Sequence, residues 1–88
     1  REIGTPRRRV GTVVCDVAKP DDVGRMIQAV VEEHGHIDTL LNVAGVNRRM
    51  RAETYSLEDY DYIVDINLRG AFLVAQGCGR HMLARGRG

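Results

Sequence analysis

The chain has 88 residues, enough for one small domain, and 28% of them are charged, with a formal net charge of +1. This charge balance does not favour a nucleic-acid or membrane partner, and no apolar stretch reaches the ~20 residues of a membrane-spanning helix. The only cysteines, Cys15 and Cys78, have neither metal-binding nor redox spacing, so we expect a reduced, cytoplasmic chain.

The N-terminal part predicts a loop followed by a buried strand. Residues 1–9 contain a glycine, a proline and three consecutive arginines, which is typical of a connector. Residues 10–17 form a nearly continuous apolar run, which predicts a strand covered on both faces, as in a parallel sheet. The run ends at Asp16, which is charged where a buried strand would still be apolar.

A helix and a second strand are predicted next. Pro20 and the two acids after it are typical of a first helical turn, and Gly35 is a natural residue just past a helix end. Between them, apolar residues recur at helical spacing. Residues 37–44 are again apolar, so the order is strand, helix, strand, and the two strands should be parallel.

The C-terminal part predicts one long helix. A polar loop covers residues 46–55, and Ser56 is a plausible N-cap with Asp59 three residues later. The apolar pattern continues to about Ala84 around much of the circumference, which indicates a helix buried on more than one side. Three internal glycines predict close approach by another helix or by a ligand; they are Gly70, Gly77 and Gly79.

Polar or small residues end both predicted strands. Ligands of parallel α/β sheets bind outside the carboxyl ends of the strands. Asp16 there can accept a hydrogen bond from an exocyclic amine such as that of adenine, and Ala44 and Gly45 let a flat ring or a ribose approach the backbone. The alternatives are a helix cap for Asp16 and a simple turn for Gly45. Asn67, in an apolar helix, is either a satisfied core asparagine or part of a kink or water site.

Together these residues resemble the central part of a short-chain dehydrogenase/reductase. The motifs are CDV at 15–17, NVAG at 42–45 and DINLRGAF at 65–72, and their order and spacing fit over residues 2–86. The resemblance implies an α/β fold, a β-α-β-α fragment of a Rossmann-type doubly wound parallel sheet. Residues 1–88 would then be a single, partial dinucleotide-binding domain.

The resemblance also implies site residues for NAD or NADP. Asp16 would contact the adenine amine, with Val17 supporting it through its backbone. Asn42, Ala44 and Gly45 would lie along the adenosine ribose. The catalytic contribution would come from Asn67, whose main chain would hold a water of the proton relay. The long helix would pack against its counterpart in a second subunit, which implies a homo-oligomer. The resemblance also implies a small-molecule substrate.

Other parts of the family pattern are absent from these 88 residues. There is no glycine-rich T-G-x-x-x-G-x-G turn and no Y-x-x-x-K pair, because none of the three tyrosines has a lysine four residues later. We therefore predict that the isolated chain, although part of an NAD(P)-dependent oxidoreductase, is inactive. The alternatives are a non-enzymatic α/β module that binds a nucleotide or a partner helix, and an inactive truncated product.

Two smaller predictions concern basic residues. The segment GVNRR at 45–49 resembles family members that act on sugar acids, such as gluconate 5-dehydrogenase, and this implies that Arg48 or Arg49 faces a substrate carboxylate. The alternative is a pair of solvated loop arginines. For His34, His36 and His81 we expect surface or capping roles, because none has a partner set for a metal ion or for catalysis.

Overall fold

A computed structural model describes residues 10–88, so the loop predicted over residues 1–9 lies outside the described part. The regular elements, in chain order, are helix α1 (Pro20–His34), a 3-10 turn (Ala52–Thr54), helix α2 (Leu57–Val64), a π-helical turn (Asp65–Gly70) and helix α3 (Ala71–Arg85). The last three follow one another without a gap and are called the long helix below. The predicted long helix is therefore confirmed, with a π-helical turn that was not predicted.

The ends of the helices follow from local chemistry. Pro20 is at the start of α1, and Gly35 ends it with φ 87° and an N–H that donates to the Val31 carbonyl. Ser56 caps the long helix, because its Oγ accepts a hydrogen bond from the Asp59 N–H at 3.1 Å. The predicted start of each helix is thus confirmed.

The core lies where α1 packs against α3. Its most buried side chains are Val23, Val74 and Cys78, exposed by 4%, 6% and 4%. Gly77 permits this approach, because a methyl group on its Cα would overlap the Cδ1 atom of Ile27. The predicted approach of a second helix is therefore confirmed for Gly77. At Gly70 the close neighbour is Val17, which lies outside the helices, and a Cβ atom added at Gly79 would meet no atom of the described chain within 4 Å.

Both cysteines are free thiols in the described chain, in line with the sequence expectation. Burial raises the pKa of the Cys78 thiol. Burial also raises the pKa of Cys15, and the neighbouring Asp16 carboxylate adds to that effect. A raised pKa keeps both sulfurs protonated and weakly reactive at neutral pH.

The two predicted strands do not form among residues 10–88, so the parallel sheet predicted from the sequence is not confirmed within the described chain. Residues 10–17 (the first segment) and residues 37–46 (the second segment) have no ladder hydrogen bonds, and Val14, Leu41 and Val43 are 102%, 82% and 87% exposed. The physical reason is that a strand exists only beside a partner. The resemblance implies that the two segments correspond to the third and fourth strands of the family, and in the common doubly wound order, 3-2-1-4-5-6, these two strands are not neighbours and cannot pair with one another.

Candidate functional site

The ends of both segments meet the same part of the long helix, residues 67–71, called the helix junction below. Val17 packs on Gly70 so closely that a Cβ atom there would lie 2.5 Å from the Val17 Cγ2 atom and 3.3 Å from its carbonyl carbon. The Asn42 Nδ2 atom donates to the Ala71 carbonyl at 2.9 Å. The junction therefore brings Asp16–Val17 and Asn42–Gly45 to one region of the molecule.

Asn67 joins the second segment to the junction through both ends of its amide. Its Nδ2 donates to the Val46 carbonyl at 2.8 Å, and its Oδ1 accepts from the Val46 N–H at 2.8 Å. Gly45 makes room for this pair, because a Cβ atom there would lie 3.2 Å from Asn67 Oδ1. The side-chain amide of Asn67 is thus fully engaged with the backbone of Val46.

The junction coincides with most of the π-helical turn. A π-helical turn accommodates an extra residue and changes which side chains face a neighbouring element, and such turns occur frequently at functional sites. Here the turn spans Asp65–Gly70 and includes Asn67, which contacts the second segment, and Gly70, which contacts the first. One irregular turn thus holds both segments.

The two carboxylate oxygens of Asp16 have different surroundings. Its Oδ1 accepts from the Ala18 N–H at 3.0 Å, and its own N–H donates to the Asp22 Oδ2 atom at 3.0 Å. The contact to Ala18 closes a two-residue turn and is not a helix cap, because Ala18 precedes α1 and the N-cap residue of α1 is Lys19. The other oxygen, Oδ2, lies 4.0 Å from the Lys19 Nζ atom, and the side chain is 45% exposed. Oδ2 is accessible to a further donor.

The two loop arginines differ in their surroundings. Arg48 is hydrogen-bonded to Asp59 and lies 4.1 Å from the centre of the Tyr62 ring, and its carbonyl accepts from the Tyr55 hydroxyl at 2.6 Å. The hydrogen bond to Asp59 raises the pKa of the Arg48 guanidinium. Arg49 is exposed and makes no hydrogen bond or ion pair within the described chain. Arg48 thus anchors the loop, whereas Arg49 is free to meet a ligand.

Within residues 10–88, no three His, Cys, Asp or Glu side chains are grouped so that they could hold a metal ion. None of the described helices is long and apolar enough to cross a membrane.

The candidate site residues could be predicted from the sequence, but the atoms that hold them could not. The sequence does not predict the roles of Val46 and Ala71, because each uses only its backbone atoms to bind a side chain from a distant part of the chain. Gly70 was noticed as a position of close approach, and its neighbour proves to be Val17.

Comparison with known proteins decides the family. Residues 2–88 match the sequence profile of the family described as Enoyl-(Acyl carrier protein) reductase. D-threitol dehydrogenase of Mycolicibacterium smegmatis is 42% identical over 87 residues, which are 99% of this chain and 34% of that protein. The chain belongs to the short-chain dehydrogenase/reductase family. Gluconate 5-dehydrogenase of Gluconobacter oxydans, another similar protein, is 39% identical over 91% of this chain and 31% of its own length.

Solved structures agree with this family assignment. Levodione reductase superimposes with a TM-score of 0.88 at 33% identity, over 94% of this chain and 33% of that structure. NAD+-bound xylitol dehydrogenase superimposes with a TM-score of 0.82 at 32% identity, over 86% of this chain and 30% of that structure. The chain thus spans about a third of the length of the short-chain dehydrogenases and reductases that it matches.

Proposed function

We propose that this chain forms the adenosine-side wall and one relay position of an NAD(P)-dependent oxidoreductase. The reaction is hydride transfer between the nicotinamide and an alcohol or carbonyl carbon of a small polyol or sugar acid. The observation that carries the proposal is the meeting of Val17, Asn42 and Asn67 at the helix junction. Val17, Asn42 and Gly45 contact the helix junction and Asn67 lies in it, while Asp16 and Ala44 are their immediate neighbours in the chain.

The chemistry of the first site residues suits an adenosine. Asp16 keeps Oδ2 as an acceptor for the adenine amine while Oδ1 holds the turn, and Val17 sets the backbone beside it by packing on Gly70. The remaining wall is the exposed backbone of residues 42–45. Asn42 donates through Nδ2 to the helix, so its Oδ1 stays available to a ribose hydroxyl.

Asn67 acts through its main chain in this proposal. Its amide fixes the second segment, and its backbone carbonyl holds a water that passes protons between solvent and the substrate oxygen. The bound nicotinamide supplies the hydride acceptor or donor. The acid–base tyrosine and lysine of the family have no counterpart in these 88 residues, so the isolated chain is inactive.

Two observations support the substrate class. The similar proteins include enzymes named for D-threitol, gluconate and xylitol, all small polyhydroxylated molecules. Arg49 has the charge to pair with a sugar-acid carboxylate, and it has no competing partner in the described chain, whereas Arg48 is engaged with Asp59. Arg49 is therefore our choice between the two arginines.

A second copy of the chain is the partner that we propose for the long helix. Large apolar side chains are exposed along its length, on the side away from α1. They are Leu57, Tyr60, Leu68, Phe72 and Leu83. A helix with two apolar sides is stable in water when another surface covers the second one.

The activity is tested with the complete gene product and with the 88-residue chain alone. Each is incubated with NAD+ or NADP+ and with D-threitol, xylitol or gluconate, and the formation of reduced cofactor is followed. We expect turnover by the complete gene product with at least one pair and none by the short chain. No turnover by the complete product, or turnover by the short chain, would contradict the proposal.

The role of Asp16 is tested by Asp16→Asn in the complete gene product. The amide oxygen can still accept from the Ala18 N–H, but the amide nitrogen would face the adenine amine as a second donor. We expect the dinucleotide dissociation constant to rise roughly tenfold, the contribution of one hydrogen bond. Asp21→Asn, in the first turn of α1, is the matched control and should leave affinity unchanged.

A further inference from the structure

The far end of the second segment is held by two side chains of α3. The Ile37 N–H donates to the Nε2 atom of His81 at 3.1 Å. The Nη1 atom of Arg85 donates to the Ile37 carbonyl at 3.1 Å and lies 3.4 Å from Asp38 Oδ1. His81 and Arg85 are four residues apart and thus adjacent on one face of α3. Both backbone polar groups of Ile37 are therefore satisfied by one helix.

The contact requires a particular form of the imidazole. Nε2 of His81 accepts a hydrogen bond, so it carries no proton, and in a neutral ring the proton is then on Nδ1. The other two histidines need the opposite arrangement. Their Nε2 atoms lie 3.0 Å from carboxylate oxygens, Glu33 Oε2 for His34 and Asp38 Oδ2 for His36, and must carry a proton to donate.

We propose that His81 is a proton-controlled clamp on the second segment. Protonation places a hydrogen on Nε2, so that two donors, His81 and the Ile37 N–H, face each other and the bond is lost. The new positive charge also lies on the same face of α3 as Arg85. Acidification that protonates His81 therefore releases the far end of the segment.

The other charges near the clamp act in the same direction or are already paired. On the second segment, the Asp38 carboxylate is shared between Arg85 and His36. At the end of α1, Glu33 is paired with His34. The Arg87 side chain lines the same cavity as Arg85 and adds positive charge.

The near end of the segment has no such dependence on pH. There, the Val46 N–H is held by the side-chain amide of Asn67, which has no titratable group. Acidification thus releases one end and leaves the other attached. The inference concerns only these contacts and holds whether or not a dinucleotide binds.

The protonated nitrogen of each histidine is read directly from imidazole 15N chemical shifts of the complete gene product near pH 8. We expect the Nδ1–H tautomer for His81 and the Nε2–H tautomer for His34 and His36. An Nε2–H tautomer for His81 would overturn the proposal. This measurement needs no variant, so it stands even if a variant fails to fold.

The pH dependence is tested by comparing the exchange protection of two amides in one protein, Ile37 and Val46. Their ratio removes the general effect of pH on exchange. We expect the Ile37/Val46 ratio to fall roughly tenfold between about pH 8 and pH 5.5, the effect of losing one hydrogen bond. In His81→Gln, whose amide oxygen accepts at either pH, the ratio should stay constant.

His36→Gln is the matched control, because it removes a histidine that is paired with a carboxylate instead of a backbone N–H. The fall in the Ile37/Val46 ratio should persist in this variant. A ratio that does not change with pH in the unaltered protein, or that falls equally in His81→Gln, would overturn the proposal.

Discussion

The two sides of the long helix are built from different residues. The inner side, against α1 and the first segment, carries two glycines and two small apolar residues, Gly70, Gly77, Val74 and Cys78. The outer side carries larger apolar residues that are exposed, among them Leu68, Phe72 and Leu83 at 68%, 60% and 82%. Leu73 and Met82 also pack against the core, so large apolar residues occur on both sides, but those of the outer side are left uncovered by the rest of the described chain.

This difference shows that side-chain size is not what selects the inner side. The axes of α1 and α3 can approach closely only where one backbone is bare, and Gly77 supplies that place beside Ile27. On the inner side, the space between the helices therefore limits how large a side chain can be. On the outer side there is no such limit, and the apolar side chains there are buried only if a partner covers them. Substitutions on the two sides should fail in different ways, and each of the following pairs tests this.

Gly77→Leu should have the largest effect. A leucine there must displace Ile27 and Val23, and overpacking of this kind costs about 3 kcal/mol of unfolding free energy. The matched control is Gly79→Leu, because the space around Gly79 is open in the described chain and leucine favours a helix by ~0.8 kcal/mol over glycine. Urea unfolding of both variants measures the difference. Equal destabilisation by the two variants would contradict the packing of α1 on α3.

Val74→Ala and Phe72→Ala compare the two sides directly. Val74 is 6% exposed, so its truncation should cost about 2 kcal/mol through lost burial and a residual cavity. Phe72 is 60% exposed, so Phe72→Ala should change the stability of the monomer by less than about 0.5 kcal/mol. Urea unfolding at low protein concentration gives both values.

Phe72→Ala should act on association instead. If a second copy covers the outer side, as proposed, removal of the ring raises the dissociation constant of the oligomer, which size-exclusion chromatography over a concentration series detects. A variant that loses monomer stability and keeps its association unchanged would reverse the assignment of the two sides.

These contrasts also explain which parts of the fold could be predicted from the sequence. The helices were predictable because their signals are local: apolar spacing around Val23, a proline at the start of α1 and the Ser56 cap lie within a few residues of what they determine. The strands were not, because an apolar run such as residues 37–44 becomes a strand only beside a partner. The periodicity of apolar residues does not show whether a partner strand is present.

The candidate site was predictable as a set of residues but not as a set of contacts. The motifs pointed to Asp16, Asn42 and Asn67, yet Asn67 meets Val46 across 21 positions and His81 meets Ile37 across 44. Nothing in the local sequence around either residue encodes such a partner. His81 shows the consequence most clearly, because it was expected to be a surface or capping residue and instead accepts a backbone hydrogen bond.

Asn67→Leu tests the contact that joins the long helix to the second segment. The variant leaves the Val46 N–H and carbonyl without their partner, and since the site is exposed to water we expect a loss of about 1.5 kcal/mol. Asn67→Asp is the matched control. It keeps the acceptor for the Val46 N–H and removes the donor, so it should lose about half as much. If both variants unfold like the unaltered protein, the contact does not stabilise the fold.

Ser56→Ala should cost about 1 kcal/mol of unfolding free energy, because it removes one cap hydrogen bond, to the Asp59 N–H. Ser56→Asp is the control, since a carboxylate can accept the same bond and suits the positive end of a helix. The cap matters here because no residue of α2 is buried against the rest of the described chain. With little packing to hold it, α2 depends on its cap and on continuity with the π-helical turn. We therefore expect amide exchange in Ser56→Ala to speed up in α2 and to stay unchanged in α3, and equal acceleration in both would mean that the long helix unfolds as one unit.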